Sequence, residues 1–343
     1  MGPVMTPMEQ RLIDEAKSNA EAERLRDLFL LRKKLLRRLL LCISVIPVVS
    51  VLFGLVIFGG MAEQGQKLPV DDDFIAGWDA LDPKLIQHIR HYYLYQPAPR
   101  SQAYNLLSPE KKDWSHKRQS MVVDEILGGR REGFFFEAGA YDGETYSNSL
   151  YFEKYLDWSG VMVEPDMGNI HKFLEKKRKC FLVRGCIGRS TRPEKVTFYG
   201  AMETGTTAEN MNNARYWFTR FWRPIVKFDT WCWPLISILK AVNHTRVDYM
   251  VLDIEGNELP VMQGTDWSKL DVDVFQVEYM IFQGVHWDKD RSQANLREMR
   301  EYFTQHQTKY AEHSRIFLDL IYVKKNMMSS ALSGPVERDN PDS

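Results

Sequence analysis

The sequence predicts an α/β fold built on an open, mostly parallel sheet with helices on both faces. Three observations lead there. From Gln119 onward, apolar β-rich runs alternate with helix-patterned segments. Phe134-Phe135-Phe136 is apolar at consecutive positions, as a strand buried on both faces must be. Four apolar strands end on an acid (Glu137, Glu164, Asp253 and Glu278), and an open parallel sheet brings its carboxyl ends to one edge.

The elements follow in order. Residues 9–38 alternate charges with leucines and read as a helix running into the uncharged segment 39–62. A bilayer core needs about 20 apolar residues, so that segment is expected to be a single transmembrane helix. Arg32, Lys33, Lys34, Arg37 and Arg38 precede it, whereas Lys67 and Asp71-Asp72-Asp73 follow. The positive-inside rule then leaves residues 1–38 as a cytosolic basic tail and carries the remainder across the membrane. The apolar run is too long and starts too late for a cleaved signal peptide. Residues 63–118 form a stem in which Asp82 caps a helix opening at Pro83. Residues 119–325 form the main domain, and 326–343 a polar tail expected to be disordered.

Within the domain, a helix over Met121–Leu127 stops at Gly128-Gly129. The central strand 134–137 follows, then a helix over Leu150–Leu156 and a second buried strand to Glu164. Glu164 trails Glu137 by the length of one strand–helix–strand unit. A helix over Ile170–Arg178 and a third strand over Cys180–Ile187 come next. Strands over Val196–Tyr199 and Val226–Asp229, a helix over Leu235–Val242, and buried strands ending at Asp253 and Glu278 continue the pattern. A helix over Leu296–His306 and a strand over Ile316–Val323 close it. The aromatic stretch 216–222 reads as core packing, or else as an acceptor-covering loop or partner surface.

The 343 residues carry 45 basic and 46 acidic side chains, which excludes a global charge signal for nucleic acid. Cys42 lies in the apolar span. Cys180, Cys186 and Cys232 allow one disulfide at most in the domain. Cys180 and Cys186 bracket one extended strand that would hold them roughly 20 Å apart, which argues against a bridge between them. Asn243-His-Thr245 is a glycosylation sequon.

The chemistry concentrates in Glu137-Ala-Gly139-Ala-Tyr141-Asp142-Gly143-Glu144. A strand ending on an acid and followed by a glycine turn and a helix makes a nucleotide-type site. An acid at the end of the next strand, Glu164, suits the hydroxyls of a ribose. No phosphate-gripping GxxxxGK[ST] occurs, and the acids in the turn repel a pyrophosphate. They suit a cationic, amino-acid-bearing nucleoside such as S-adenosylmethionine. For proton removal from an acceptor hydroxyl, Asp253 is the first choice, with His244 or His286 as alternates. Asp253, Glu255 and Glu278 could instead hold a divalent cation.

Glu137-Ala-Gly-Ala-Tyr-Asp-Gly-Glu144, Ser147-Asn-Ser-Leu150, Trp158-Ser-Gly-Val-Met-Val-Glu164-Pro165, Asp253-Ile-Glu-Gly-Asn-Glu258 and Asp319-Leu-Ile-Tyr-Val-Lys-Lys325 resemble an FkbM-type methyltransferase domain. More narrowly they resemble the animal branch that includes the membrane protein Star. The resemblance covers roughly residues 82–325. It implies a class I (Rossmann-like) methyltransferase sheet with S-adenosylmethionine as cofactor, and O-methylation, often of sugar hydroxyls. By this likeness Glu137, Gly139, Tyr141, Asp142 and Gly143 form the cofactor turn. Glu137, Gly139 and Asp142 line its methionine end, and Glu164 takes the ribose. Asp253, Glu255 and Glu258 match the D-x-E-G-x-E turn beside the acceptor and are the expected catalytic set. Where relatives tend to have Asn or another small residue after the third strand, this chain has Arg184-Gly185-Cys186. The function expected is a membrane-anchored O-methyltransferase acting on a hydroxyl of a lumenal glycan, lipid headgroup or protein. The alternative is a Star-like, non-catalytic factor carrying membrane-protein cargo from the endoplasmic reticulum to the Golgi. Either places the chain in the endoplasmic reticulum, Golgi or plasma membrane.

Overall fold

The computed structural model describes residues 73–200, 205–211, 225–283, 286–328 and 336–338. The chain divides into two compact units, residues 1–67 and 68–343, and every described residue belongs to the second. The basic tail, the segment 39–62 and the aromatic stretch 216–222 lie outside the described residues. Among those described, no helix is long and apolar enough to cross a membrane.

Helix α1 (Pro83–Tyr92) begins where Asp82 accepts a hydrogen bond from the Lys84 amide at 2.8 Å, with Pro83 in its first turn. Leu85 and Ile89 are fully buried in the main core, and strand β1 (Leu94–Tyr95) extends the principal sheet. Helix α2 (Gln119–Leu127) ends on Gly128, left-handed at φ 64°. Next come β2 (Phe134–Ala138), α3 (Leu150–Tyr155), β3 (Ser159–Glu164) and α4 (Met167–Glu175), the last capped by Asp166. Strands β4 (Phe181–Arg184), β5 (Cys186–Ile187), β6 (Glu194–Gly200), β7 (Thr206–Thr207) and β8 (Val226–Trp233) follow. Then come α5 (Leu235–Ala241), β9 (Arg246–Leu252), α6 (Glu258–Gly264) and β10 (Asp271–Glu278). The short β11 (Phe282–Gln283) and β12 (His286–Trp287), α7 (Lys289–His306), β13 (Tyr310–Ile316), β14 (Asp319–Lys324) and β15 (Val336–Arg338) complete the chain.

The principal sheet has the order β1-β4-β3-β2-β9-β10-β14-β13-β15. Strands β4, β3, β2, β9 and β10 are mutually parallel, while β14 runs antiparallel between β10 and β13. The sheet is therefore mixed, and its strand order reverses at the β2/β9 junction, where such sheets open a crevice. Alternation along β2 builds both layers. Phe134, Phe136 and Ala138 join the core under α1, α5, α6 and α7; Phe135 faces the core of α2, α3 and α4.

Two expectations from the sequence are corrected. The third strand is not one element: Gly185, at φ 132°, divides it into β4 in the principal sheet and β5 in a second sheet ordered β5-β8-β6-β7. A Cβ at Gly185 would stand 2.5 Å from the Trp231 carbonyl oxygen and the Trp233 indole nitrogen, so only glycine fits the crossing. The final strand is a hairpin, β13 and β14, turned through Phe317 and Leu318. In addition, Val336–Arg338 in the polar tail pairs in parallel with β13.

Candidate active site

The carboxyl ends of β2, β3 and β9 form the floor of an open cleft of about 1020 Å³, and the second sheet walls it through Val196, Phe198 and Thr207. Cys186 and Cys232, register partners on β5 and β8, form a disulfide in that wall; Cys180 is buried and free.

At the floor, Gly139 has φ 91°, and a Cβ there would overlap the Asp253 carbonyl oxygen, so β2 and the turn after β9 can approach only through a glycine. Tyr141, also left-handed at φ 45°, donates its amide to Glu164 Oε2 at 2.9 Å. Glu164 Oε1 accepts from the Asp166 amide at 2.9 Å and from Asn169 Nδ2 at 3.4 Å. Burial pushes the Glu164 carboxyl up to about 8 against these bonds. Asp253 lines the cleft, half-buried, and is hydrogen-bonded to Glu278 at the end of β10. Burial first, then the charges of Asp319, Glu255 and Glu258, hold Asp253 well above the usual carboxylate range. Burial and Asp253 do the same to Glu278. Two carboxyls bonded to each other must share a proton, and Glu278 Oε2 has no hydrogen-bond partner among the described residues. Asp319, opposite Glu278 in register, is pushed up to about 6 by burial while Gln119 donates to it at 2.7 Å.

The two edges of the sheet differ electrostatically. Near the amino ends, Asp273 is paired with Arg130, Arg246 and Lys324, each at 2.7 Å. At the carboxyl edge no ion pair reaches Asp253, Glu278 or Asp319 among the described residues. Arg189, the basic residue lining the cleft, is itself paired with Glu194 and Glu209.

The predicted site residues separate into two groups. Glu137, Gly139, Tyr141, Glu164, Asp253 and Glu255 line the cleft. Asp142, Gly143 and Glu258 do not. Asp142 accepts from the amides of Glu144 and Thr145 at 2.9 and 2.7 Å, closing its own turn. Gly143 lies against the Phe173 ring. Glu258, fully buried, accepts from the Ile254 amide at 2.7 Å and the Gly256 amide at 3.0 Å, holding the turn that presents Asp253. Glu137 reaches the cleft but accepts from the Asn148 amide at 2.8 Å, the Ser149 amide at 3.2 Å and both serine hydroxyls, which fixes the start of α3. His244 stacks on Phe134 at the opposite end of β2, 3.8 Å between ring centroids, and so cannot serve as the base. The side chain of His286 lies outside those described. No three His, Cys, Asp or Glu side chains among the described residues group as a metal site, so the divalent-cation alternative has no ligand set here.

The methyltransferase FkbM domain family matches residues 137–310, from the acid that ends β2 to the start of β13. The chain belongs to the FkbM methyltransferase family. No curated protein matches it. Among solved structures, a fibrillarin/Nop5p complex aligns at 11% identity over 62% of this chain and 84% of its own, with a TM-score of 0.30. A putative RNA methyltransferase from Pyrococcus horikoshii aligns at 10% identity over 70% and 94%, with a TM-score of 0.27. In this FkbM domain, Asn148 of the Ser147–Leu150 motif also lines the cleft, as do Asp166 and Asn169, which sequence reasoning did not single out. Asp166 was legible as the N-cap of α4. Nothing in the order of residues marks Asn169.

Proposed function

We propose that this chain is a membrane-anchored, S-adenosylmethionine-dependent O-methyltransferase acting on a hydroxyl of a glycan or lipid headgroup. The observation that carries the reading is the acid-lined cleft at the strand-order reversal, with Glu164 one strand from Gly139 and two from Asp253. The residues fit such a cofactor. Glu164 accepts from two backbone amides and from Asn169, which leaves one lone pair, on Oε2, for a ribose hydroxyl. The excess of carboxylate suits a sulfonium and repels a pyrophosphate. Gly139 keeps the floor free of a side chain.

S-adenosylmethionine, when bound, supplies the methyl group. Asp253 takes the proton that the acceptor hydroxyl gives up as its oxygen is methylated. Burial holds Asp253 above the usual carboxylate range, so its ionised form is a stronger base than a solvated carboxylate. Glu258 holds the turn so that Asp253 faces the cleft. Titration calorimetry of the full-length chain with S-adenosylmethionine tests this; absence of binding at millimolar concentration removes the enzyme reading.

One observation favours the second reading, a Star-like cargo factor on a methyltransferase scaffold. The Cys186–Cys232 disulfide suits the oxidising side of the membrane, as the charge flanking residues 39–62 does, whereas S-adenosylmethionine is made in the cytosol. Asn243 is exposed; a glycan on it in cells would place the domain in the lumen. Capture of membrane-protein cargo that survives replacement of both Asp253 and Glu164 would establish the non-catalytic role.

A further inference from the structure

We infer that the face formed by Phe74, Trp78 and Leu81 rests in the headgroup region of the bilayer, so that the domain is docked on lipid rather than suspended from its anchor. This rests on the membrane-anchored reading proposed above. Along Phe74–Pro83 the side chains of Phe74, Ala76, Leu81 and Pro83 are exposed, Phe74 to 59% and Leu81 to 42%, and Trp78 is half-buried. Single exposed apolar residues are ordinary, whereas several on one short stretch mark a surface that meets a partner. The stretch is not loose. Ile75 is fully buried, the Ala80 amide donates to the Thr191 carbonyl at 2.9 Å, and the Ser237 hydroxyl donates to the Ala80 carbonyl at 2.6 Å. The Phe74 ring meets the Trp78 ring edge-on, 5.3 Å between centroids, and Trp78 packs on the main core. The backbone is thus fixed beneath apolar side chains that point outward.

The chain ahead of this face names its occupant. Residues 63–72, outside the described residues, connect the uncharged segment 39–62 to it. Even fully extended they reach about 36 Å, so the face by which the chain enters the domain stays beside the bilayer that holds the segment. Its chemistry suits that neighbour. Aromatic rings and leucines are the side chains that settle at headgroup depth, apolar body inward and polar rim in water. Exposed Lys84 and Lys269 at the border are matched by Asp79 and Asp82, so the contact is apolar and needs no anionic lipid. Leu107 is the contrast. It is 80% exposed but lies across the principal sheet beside α4, where Glu144 accepts from its amide at 2.7 Å.

The test is tryptophan fluorescence of the full-length chain in phosphatidylcholine nanodiscs, with and without phospholipid brominated near the top of its acyl chains. The emission that Leu81→Trp adds to wild type is expected to fall by roughly half with brominated lipid, and equally at about 1 M salt. The emission added by Leu107→Trp should not change. Equal quenching at both positions overturns the inference. So does a blue shift of the Leu81→Trp emission without quenching, as burial against a second copy or another protein would give. Absence of quenching in a chain that stays in membranes through alkaline carbonate overturns docking alone. Release of the wild-type chain by carbonate overturns the anchored reading, and docking falls with it. A melting temperature near wild type reports that each variant is folded; if Leu81→Trp does not fold, Phe74→Trp is read by the same two spectra.

Discussion

Glu164 makes the ligand affinity of this cleft a function of pH, and the size of the effect follows from its surroundings. Its carboxyl is pushed up to about 8 by burial, so at pH 6 the empty site holds a proton on Glu164. Ribose hydroxyls donate to a carboxylate far better than to a carboxylic acid, so binding requires that proton to leave. Each pH unit below the site's own value then costs up to tenfold in affinity, about 1.4 kcal/mol. Between pH 8, where half the sites are already ionised, and pH 6, S-adenosylhomocysteine should weaken by roughly fiftyfold, or about 2.3 kcal/mol. Calorimetry in buffers of different ionisation enthalpy should show close to one proton released per ligand at pH 6.5 and almost none at pH 9. Glu164→Gln removes the ionisation, so its affinity is lower at pH 8 and nearly level across the range. Folding has the opposite sign. A carboxyl raised from 4.5 to about 8 stabilises the fold fully below pH 4.5, and that stabilisation is lost as pH rises through 8. The melting temperature of wild type relative to Glu164→Gln should therefore fall between pH 5 and pH 9. Wild-type affinity that stays constant from pH 6 to pH 9, with no proton release, would refute the placement of a ligand hydroxyl on Glu164.

Three further outcomes follow from contacts already described. Gly139→Ala forces a Cβ into the Asp253 carbonyl and an alanine into a left-handed backbone, for roughly 2–5 kcal/mol together; the melting temperature should drop about 5–15 °C. Opening the Cys186–Cys232 bridge, which closes a separation of 46 residues, releases about 4 kcal/mol of loop-closure constraint. A reducing agent should lower the melting temperature of wild type and leave the Cys186→Ala/Cys232→Ala variant unmoved. The Asp253–Glu278 pair should retain one proton at pH 7, seen as a carboxylic-acid infrared band in the wild-type-minus-Glu278→Gln difference spectrum; an ionised band alone would dismiss the shared proton.

The strand pattern was readable because burial on both faces leaves an unbroken apolar run, and Phe134 to Phe136 carries it with no competing helical period. Boundaries were harder where one run serves two sheets. Cys180 to Ile187 reads as one strand, and only the positive φ of Gly185 reveals the crossing, a property that a lone glycine shares with many ordinary turns. The last hairpin was hidden for a related reason. Its turn is Phe317-Leu318, with a phenylalanine at φ 53° where Gly or Asn is the usual signal. The disulfide joins residues far apart in sequence; strand geometry disfavoured Cys180–Cys186, and nothing local chose between the two pairings of Cys232.

The acids at the strand ends show why site residues are harder to read than strands. A backbone amide in a tight turn and a ribose hydroxyl are both hydrogen-bond donors, and a carboxylate at a strand end serves either. Glu137, Asp142 and Glu258 are spent on amides of their own turns, while Glu164 and Asp253 keep capacity directed into the cleft. Spacing brings all five to one edge and cannot separate them. What separates them is whether the following turn folds back onto the carboxylate, and that depends on left-handed residues such as Tyr141 and Glu255, whose conformation no residue type announces.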